Sequence, residues 1–141
     1  MYDLNGKVAV VTGAGGRNGI GRSIALAFAR AGAKVSICAR GREALEATKA
    51  ELGAEAHAAV CDLAEAAEIG RYIAEAAAAL GGLDVLVNNA SALGRGGDEQ
   101  AWQGSLAVDV MATVRAVEAA LPHLEASEAG AIVNVSSISG L

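Results

Sequence analysis

The sequence predicts an α/β fold in which a parallel β-sheet lies between layers of helices. Two observations support this prediction. Short apolar runs alternate along the chain with longer segments whose apolar residues recur at helical spacing. Glycine follows many of these segments, where a helix or strand has to turn. Alternation of this kind implies right-handed crossovers and parallel strands, and we predict one domain covering residues 1–141.

Five short apolar runs are the predicted strands. They lie at 7–12, 34–39, 57–63, 83–88 and 131–136. Most are rich in β-branched residues and carry few charges, which is typical of strands that are buried on both faces. The last run would form an exposed edge of the sheet, which is a liability for solubility.

Helical spacing is clear in the segments between these runs. The first helix begins at Ile20 and ends before Gly32, the second covers 42–52, and the third runs from Ile69 to Gly81. A fourth, longer helix should bend or end at Pro122. We expect one apolar stripe of this fourth helix to face the core, formed by Trp102, Leu106, Val110, Val114, Val117 and Leu121.

Composition excludes several classes of protein. The formal net charge of −5 gives no electrostatic reason to bind nucleic acid or an anionic membrane. No apolar run approaches the roughly 20 residues of a membrane helix, so we expect a cytoplasmic protein. Cys38 and Cys61 are far apart in the sequence and match no metal or redox spacing, and we interpret them as buried thiols in a reducing compartment. His57 and His123 are interpreted as unremarkable surface or helix-end residues, and no metal site is predicted.

A glycine-rich turn, residues 12–21, connects the first strand to the first helix. The N-terminus of a helix offers unpaired N–H groups and the positive end of a dipole, which suit a pyrophosphate. Glycine lets the backbone turn sharply and approach phosphates without a Cβ in the way. A glycine-rich turn alone could be only a tight loop, but its position in a strand–helix–strand unit favours dinucleotide binding.

Four motifs occur in order along the chain: Thr12-Gly13 with Gly19-Ile20-Gly21, Cys61-Asp62-Leu63, Asn88-Asn89-Ala90-Ser91, and Asn134-Val135-Ser136-Ser137. With these motifs the chain resembles the N-terminal part of a short-chain dehydrogenase/reductase. The resemblance implies a Rossmann-type, doubly wound parallel sheet with strand order 3-2-1-4-5. The C-terminal strands of the family would be lacking. It also implies a nicotinamide cofactor and hydride transfer between this cofactor and a carbonyl or alcohol substrate.

The glycine-rich turn departs from the family pattern. Five residues separate Gly13 from Gly19, where the family has three. Gly15, Arg17 and Asn18 lie in this longer part. Which backbone N–H groups meet the phosphates is therefore open, although Gly19 and Gly21 should still begin the helix, with Ile20 between them.

The end of the second strand favours NADP(H) over NAD(H). An acidic residue at this point binds the ribose hydroxyls of NAD, whereas an Arg accommodates the 2′-phosphate of NADP. Here Arg40 and Arg42 follow the strand, and the first acidic residue is Glu43. The guanidinium groups of Arg40 and Arg17 could bind this phosphate, with Arg42 joining them. The alternative is that Arg40 and Arg42 are solvated charges at a helix start, and NAD(H) stays possible.

The resemblance assigns further cofactor contacts. The carboxylate of Asp62, with Leu63 beside it, would accept a hydrogen bond from the adenine amino group. Asp62 could also cap a helix beginning near Ala64. Asn88 and Ala90 would line the adenosine ribose, and the amide of Asn89 would tie neighbouring strands together.

The resemblance also assigns the chemistry. Ser137 would hydrogen-bond the substrate carbonyl, and Asp109 occupies the position where the family usually has an Asn that holds a water. The Tyr-x-x-x-Lys motif of the family would belong beyond Leu141, so we expect a fragment of a longer reductase that is inactive alone and forms a homo-oligomer when whole. The alternative is a non-catalytic nucleotide-binding module.

Overall fold

A computed structural model describes residues 2–94 and 96–137 of the chain. A five-stranded parallel sheet has the order β3-β2-β1-β4-β5, which confirms the predicted fold class and strand order. The strands are shorter than the apolar runs that predicted most of them: β1 Val8–Thr12, β2 Lys34–Ala39, β3 His57–Val60, β4 Val85–Asn88 and β5 Ala131–Asn134.

Helices cover both faces of the sheet. They are α1 Ile20–Arg30, α2 Arg42–Leu52, α3 Ala66–Leu80, α4 Glu99–Ser105 and α5 Ala112–Ala126, and a π-helical segment, Leu106–Met111, joins the last two. Pro122 lies inside α5 and does not end it, contrary to one of the two predicted outcomes. Within the described ranges, none of the helices combines the length and the hydropathy that spanning a bilayer demands.

Two apolar cores form because alternate residues of each buried strand point to opposite faces of the sheet. On one face, Val11 and Ile37 pack with Ala25 of α1 and Leu45 of α2. The opposite core contains Val10 and Leu86 of the sheet, together with Tyr72 and Ile73 of α3 and Ala116 and Ala120 of α5. The helices therefore form a layer on each side of the sheet, as a doubly wound fold requires.

The predicted apolar stripe of the long helix is largely wrong. Trp102, Leu106, Val110, Val114 and Leu121 are all exposed, and only Val117 packs against the core. The buried positions of α5 are instead Ala112, Ala116, Ala120 and Leu124. Small side chains on this face let α5 approach the sheet and α3 closely. Both faces repeat at helical spacing, so periodicity alone could not identify the buried one.

The expectation for β3 is also corrected. This strand ends at Val60 rather than at residue 63. The next residues bond to side chains: the backbone N–H of Asp62 donates to the Glu68 carboxylate at 2.7 Å, and the N–H of Ala64 donates to the Asp62 carboxylate at 3.0 Å. These carboxylates replace the ladder partners of a strand and turn the chain towards α3.

His57 is not the unremarkable surface residue that the sequence suggested. Its ring is half-buried at the start of β3, and its Nδ1 lies 2.8 Å from the Ser36 hydroxyl. The same hydroxyl lies 2.8 Å from the Tyr72 hydroxyl, which is fully buried. Burial lowers the pKa of His57 from its ordinary value. The three side chains thus form a polar network between the neighbouring strands β2 and β3 and helix α3.

Candidate functional site

The carboxyl ends of all five strands meet at one edge of the sheet, because the strands are parallel. At this edge the glycine-rich turn follows β1, Arg40 follows β2 and Asp62 follows β3. Asn89 and Ala90 follow β4, and Ser137 follows β5. In open α/β sheets, ligands bind outside the carboxyl ends of the strands. These residues, which the sequence singled out, are therefore gathered where such a fold binds its ligand.

Three glycines of the turn lie where a side chain would not fit. Gly13 has a φ of +72°, and a Cβ there would be 2.7 Å from the Cα of Ala90. A Cβ on Gly21 would lie 2.5 Å from Nδ2 of Asn89 and 2.6 Å from the Gly13 carbonyl oxygen. A Cβ on Gly15 would be 2.5 Å from that of Ala39. Close packing against backbone and side-chain atoms of neighbouring residues thus fixes the path of the turn.

The longer form of the turn has a simple structure. The N–H of Gly19 donates to the carbonyl of Gly16 at 3.0 Å, which closes a β-turn with Arg17 and Asn18 at its tip. Both tip residues are exposed. The additional residues therefore project Arg17 towards solvent without disturbing the helix start, since Gly19 is the N-cap and α1 begins at Ile20.

The first turn of α1 is arranged to accept an anion. Gly19 provides no side chain to cap the helix, and no acidic residue lies in its first turn. The leading N–H groups of an 11-residue helix therefore face the open edge of the sheet, together with the positive end of its dipole. Ile20, the first residue of the helix, is exposed at this point.

Thr12 and Asn89 join the glycine-rich turn to the neighbouring strand. The Thr12 hydroxyl accepts from the N–H of Asn89 at 3.1 Å and from that of Ala90 at 3.3 Å. The Asn89 amide donates to the carbonyls of Thr12 at 3.0 Å and of Gly13 at 3.2 Å. On the other side, the N–H groups of Gly13 and Ala14 donate to the carbonyl of Cys38 on β2. The turn is thereby held from both sides.

Arg40 and Asp62 lie at the outer end of this edge. The Arg40 side chain is exposed directly beyond β2, and Asp62 is half-buried beyond β3. Asp62 does not cap a helix that begins near Ala64, because α3 begins at Ala66 and its N-cap is Glu65. One Asp62 oxygen accepts from Ala64 instead, and Leu63 is buried beneath. A guanidinium and a carboxylate are thus available on neighbouring strands.

Asn88 lies deeper than its neighbours. Its side chain is buried and donates to the Asn134 side chain on β5 at 2.9 Å. A cavity of about 10 Å³, roughly the space of one water, lies beside it and is lined by Thr12, Leu63, Asn88, Ala90, Val108, Ala112 and Thr113. The sequence did not single out the last three residues. Thr113 in particular lies on a helix face that periodicity did not distinguish.

The two residues assigned to the chemistry lie in open positions. Asp109 is exposed within the π-helical segment, where the helix widens by one residue per turn. Ser137 is exposed beyond β5, at the end of the described part of the chain. π-helical turns inside α-helices are frequent at functional sites. No sequence signal predicted this segment, because its residues continue the helical spacing on both sides.

Comparison with known proteins gives one consistent result. The sequence profile of the short chain dehydrogenase family matches residues 7–141. The chain is 37% identical to a 2,5-dichloro-2,5-cyclohexadiene-1,4-diol dehydrogenase of Sphingobium indicum, over 98% of this chain and 57% of that protein. Curated relatives of this kind are longer, and the chain spans 54% to 62% of their length.

Solved structures agree in fold as well as in sequence. A metagenomic short-chain oxidoreductase in complex with NADP superposes with a TM-score of 0.86 at 37% identity, covering 97% of this chain and 65% of that one. A short chain dehydrogenase/reductase from Burkholderia phymatum in complex with NAD gives a TM-score of 0.90 at 33% identity, with coverages of 99% and 52%. Nicotinamide cofactors of both kinds are therefore bound by proteins that share this architecture.

Proposed function

Because the chain belongs to the short chain dehydrogenase family, we propose that it provides the cofactor-binding part of an NADP(H)-dependent oxidoreductase acting on a carbonyl or alcohol. The glycine-rich turn is the observation that carries this proposal. Its backbone lies where a Cβ on Gly13, Gly15 or Gly21 would clash, and it leads directly into an uncapped helix N-terminus. Such a cradle fits a pyrophosphate, which needs backbone N–H donors and close approach.

The cofactor contacts follow from the order of strands along the edge. The turn residues Thr12, Gly13, Gly15, Asn18, Gly19, Ile20 and Gly21 would surround the pyrophosphate. Asp62 and Leu63 would contact the adenine. The adenosine ribose would be lined by Asn88 and Ala90, and the amide of Asn89 would tie the neighbouring strands together. The exposed face of Ile20 supports a contact with bound cofactor, because an apolar residue gains by being covered.

A preference for NADP(H) is supported by charge at the end of β2. Arg40 is exposed there, Arg42 begins α2, and Arg17 is exposed at the tip of the turn. A ribose 2′-phosphate needs such donors, whereas the ribose hydroxyls of NAD are best bound by an acidic residue. Since relatives of similar structure bind NADP or NAD, this preference rests on the arginines of this chain.

The bound cofactor would supply or accept the hydride. Of the residues in this chain, Ser137 would donate a hydrogen bond to the substrate oxygen, and the Asp109 carboxylate would hold a water near it. The family's Tyr and Lys, which complete proton transfer, would belong to a segment following residue 141. We further propose a cytoplasmic, homo-oligomeric enzyme, supported by two free cysteines and by the exposed apolar side chains of Leu106, Val110 and Val114.

Binding measurements on the 141-residue chain test the proposal. NADPH should bind more tightly than NADH, and Arg40→Ala should weaken NADPH binding by about tenfold, which is about 1.4 kcal/mol, while leaving NADH binding unchanged. Fluorescence titration of both cofactors gives the two Kd values. The matched control is Arg30→Ala, which removes the same charge at the far end of α1. Tighter binding of NADH to the unmodified chain would overturn the NADP(H) assignment.

A further inference from the structure

The loop 61–65 connects β3 to α3 and carries Asp62 at the adenine end of the proposed cofactor site. Backbone hydrogen bonds hold this loop at both of its ends. The N–H of Cys61 donates to the carbonyl of Ala39 on β2 at 3.1 Å, and the N–H of Glu65 donates to the carbonyl of Asp62 at 3.0 Å. Asp62 therefore lies on a backbone of fixed path, directly beside the end of β2.

Two side chains of α3 hold the backbone on either side of Cys61. The Glu68 carboxylate accepts the N–H of Asp62 at 2.7 Å through Oε2. Nη2 of Arg71 lies 3.5 Å from the carbonyl oxygen of Val60 and 3.8 Å from the same Oε2 of Glu68. The bond from Asp62 to Glu68 is the strongest of these contacts, because it is short and its acceptor is a carboxylate.

The Asp62 carboxylate is itself held by the loop. Its Oδ1 accepts the N–H of Ala64 at 3.0 Å, which forms an Asx turn. Within residues 2–94 and 96–137, no hydrogen bond or ion pair is made to the second oxygen, Oδ2. One oxygen of Asp62 thus restrains the side chain, and the other is available to a donor from a bound molecule.

We propose that Glu68 is a positioning residue for recognition of the adenine ring, acting through the backbone of Asp62. The inference rests on the proposed function, in which Asp62 accepts a hydrogen bond from the adenine amino group. By accepting the N–H of Asp62, Glu68 fixes the orientation of the peptide unit from which the Asp62 side chain projects. It thereby fixes the direction in which Oδ2 is presented to the cofactor.

The place of Glu68 in the helix suits this role. It lies in the first turn of α3, where the helix dipole favours a negative charge. Glu65, the N-cap residue, makes no capping bond with its side chain and is exposed, whereas Glu68 is half-buried. Of these two neighbouring carboxylates, Glu68 is the one that is bonded to the loop, and Glu65 provides a matched control.

The experiment compares the Kd of NADPH with that of its analogue in which hypoxanthine replaces adenine, so that a carbonyl oxygen takes the place of the amino group. The unmodified chain should bind the analogue about tenfold more weakly, because a hydrogen bond to a charged group is lost. In Glu68→Ala the ratio of the two Kd values should fall to about twofold or less. In Glu68→Gln the amide oxygen can still accept the N–H of Asp62, so the ratio should stay near about tenfold. Fluorescence titration gives each Kd.

The ratio separates positioning from a merely structural role. A loss of stability or a change in net charge alters both Kd values together and leaves their ratio unchanged. Glu68→Ala and Glu68→Gln also remove the same charge, so only the acceptor differs between them. Glu65→Ala removes that charge from an exposed residue nearby and should keep the ratio of the unmodified chain.

An unchanged ratio in Glu68→Ala would overturn the inference, and so would an equal fall of the ratio in Glu68→Gln. Equal affinity of the unmodified chain for NADPH and the analogue would contradict it as well, since Asp62 would then not bind the amino group. If Glu68→Ala does not fold, Glu68→Asp provides the same test, because its carboxylate is one methylene shorter and should not reach the N–H of Asp62. Failure of the unmodified chain to bind NADPH would instead refute the proposed function.

Discussion

β1 and β5 end at the same edge of the sheet, but their surroundings differ greatly. All five residues of β1 are buried, and the turn that follows is bonded to both neighbouring strands. All four residues of β5 are exposed, and Ser137 beyond it is exposed as well. The proposed cofactor contacts therefore rest on packing within this chain, whereas the residues proposed for the chemistry lie in an open part of it.

This difference shows which of the proposed contacts are supported by packing among the described residues. Contacts among residues 8–90 already hold the glycine-rich turn rigidly. Asp109 and Ser137 lie in parts of the chain that also expose apolar side chains, such as Val110 and Val133. Substitutions near β1 should accordingly cost more stability than substitutions on the exposed surface of α5 and β5. The following experiments measure that difference.

The largest effect is expected for Gly21→Ala. The added Cβ would meet Nδ2 of Asn89 and the Gly13 carbonyl oxygen, so the turn must shift. We expect the free energy of unfolding to fall by about 1–3 kcal/mol, measured by urea denaturation, and NADPH binding to be lost. Gly70→Ala is the control: Gly70 lies exposed in α3 with no atom near its Cβ position, and Ala should stabilise the helix by about 0.5–1 kcal/mol. Equal effects at the two sites would contradict the close packing of the turn.

Thr12→Val should come next. It removes the hydroxyl that accepts from the N–H groups of Asn89 and Ala90, leaving these donors without that partner at the end of β1. The expected cost is about 1–3 kcal/mol in the same denaturation assay. Thr48→Val is the matched control, since Thr48 is equally buried. Its hydroxyl only donates to the Ala44 carbonyl, one turn earlier in the same helix. A cost at Thr12 no greater than at Thr48 would mean that the two strands are joined by other contacts.

A smaller effect on stability is expected when the pH is lowered, because His57 belongs to the polar network with Ser36 and Tyr72. Burial lowers the pKa of His57, with Glu75 opposing and Lys49 adding to the shift. The unfolded chain then binds a proton at His57 more readily than the folded chain does. The contribution of His57 to the free energy of unfolding is therefore fully present above its ordinary pKa of 6.5, and it is lost as the pH falls through the pKa of the folded state. Thermal unfolding between pH 7.5 and 5 should show this loss. In His57→Asn, which keeps a polar atom near Ser36, the loss should be reduced; an identical pH profile would assign it to other groups.

The smallest effect is expected on the open side. Val114→Gln changes an exposed residue of α5 and should alter the free energy of unfolding by less than about 0.5 kcal/mol. Ala116→Gln, two residues away on the buried face, should cost about 1–3 kcal/mol because the larger side chain does not fit. If Val114→Gln were as costly as Ala116→Gln, the exposed face would be covered in solution.

The sequence was sufficient for the parts of the protein that depend on local pattern. Apolar runs and glycine positions located every strand and most helix ends, and α2 was predicted with its observed bounds. Candidate site residues that directly follow strands, such as Arg40 and Asn89, could be predicted to lie at one edge of the sheet, because parallel strands bring their carboxyl ends together. Asp109 was singled out through resemblance and stays a prediction. The π-helical segment around it was not predicted, because a widened helical turn does not change the spacing of apolar residues.

Tertiary structure decided what depends on which surfaces meet. Of the two apolar faces of α5, the Ala-rich face is the buried one. Small side chains let the helix approach α3 and the sheet closely, whereas the larger side chains of the predicted stripe would hold it farther away. Cys38 and Cys61, both buried as predicted, entered the same core only through the pairing of β2 with β3, and Ser36, His57 and Tyr72 met in the same way. By itself the sequence determined the order of elements and the position of the glycine-rich turn, because these are local in the chain. Contacts between distant residues follow from packing, which one-dimensional periodicity does not contain.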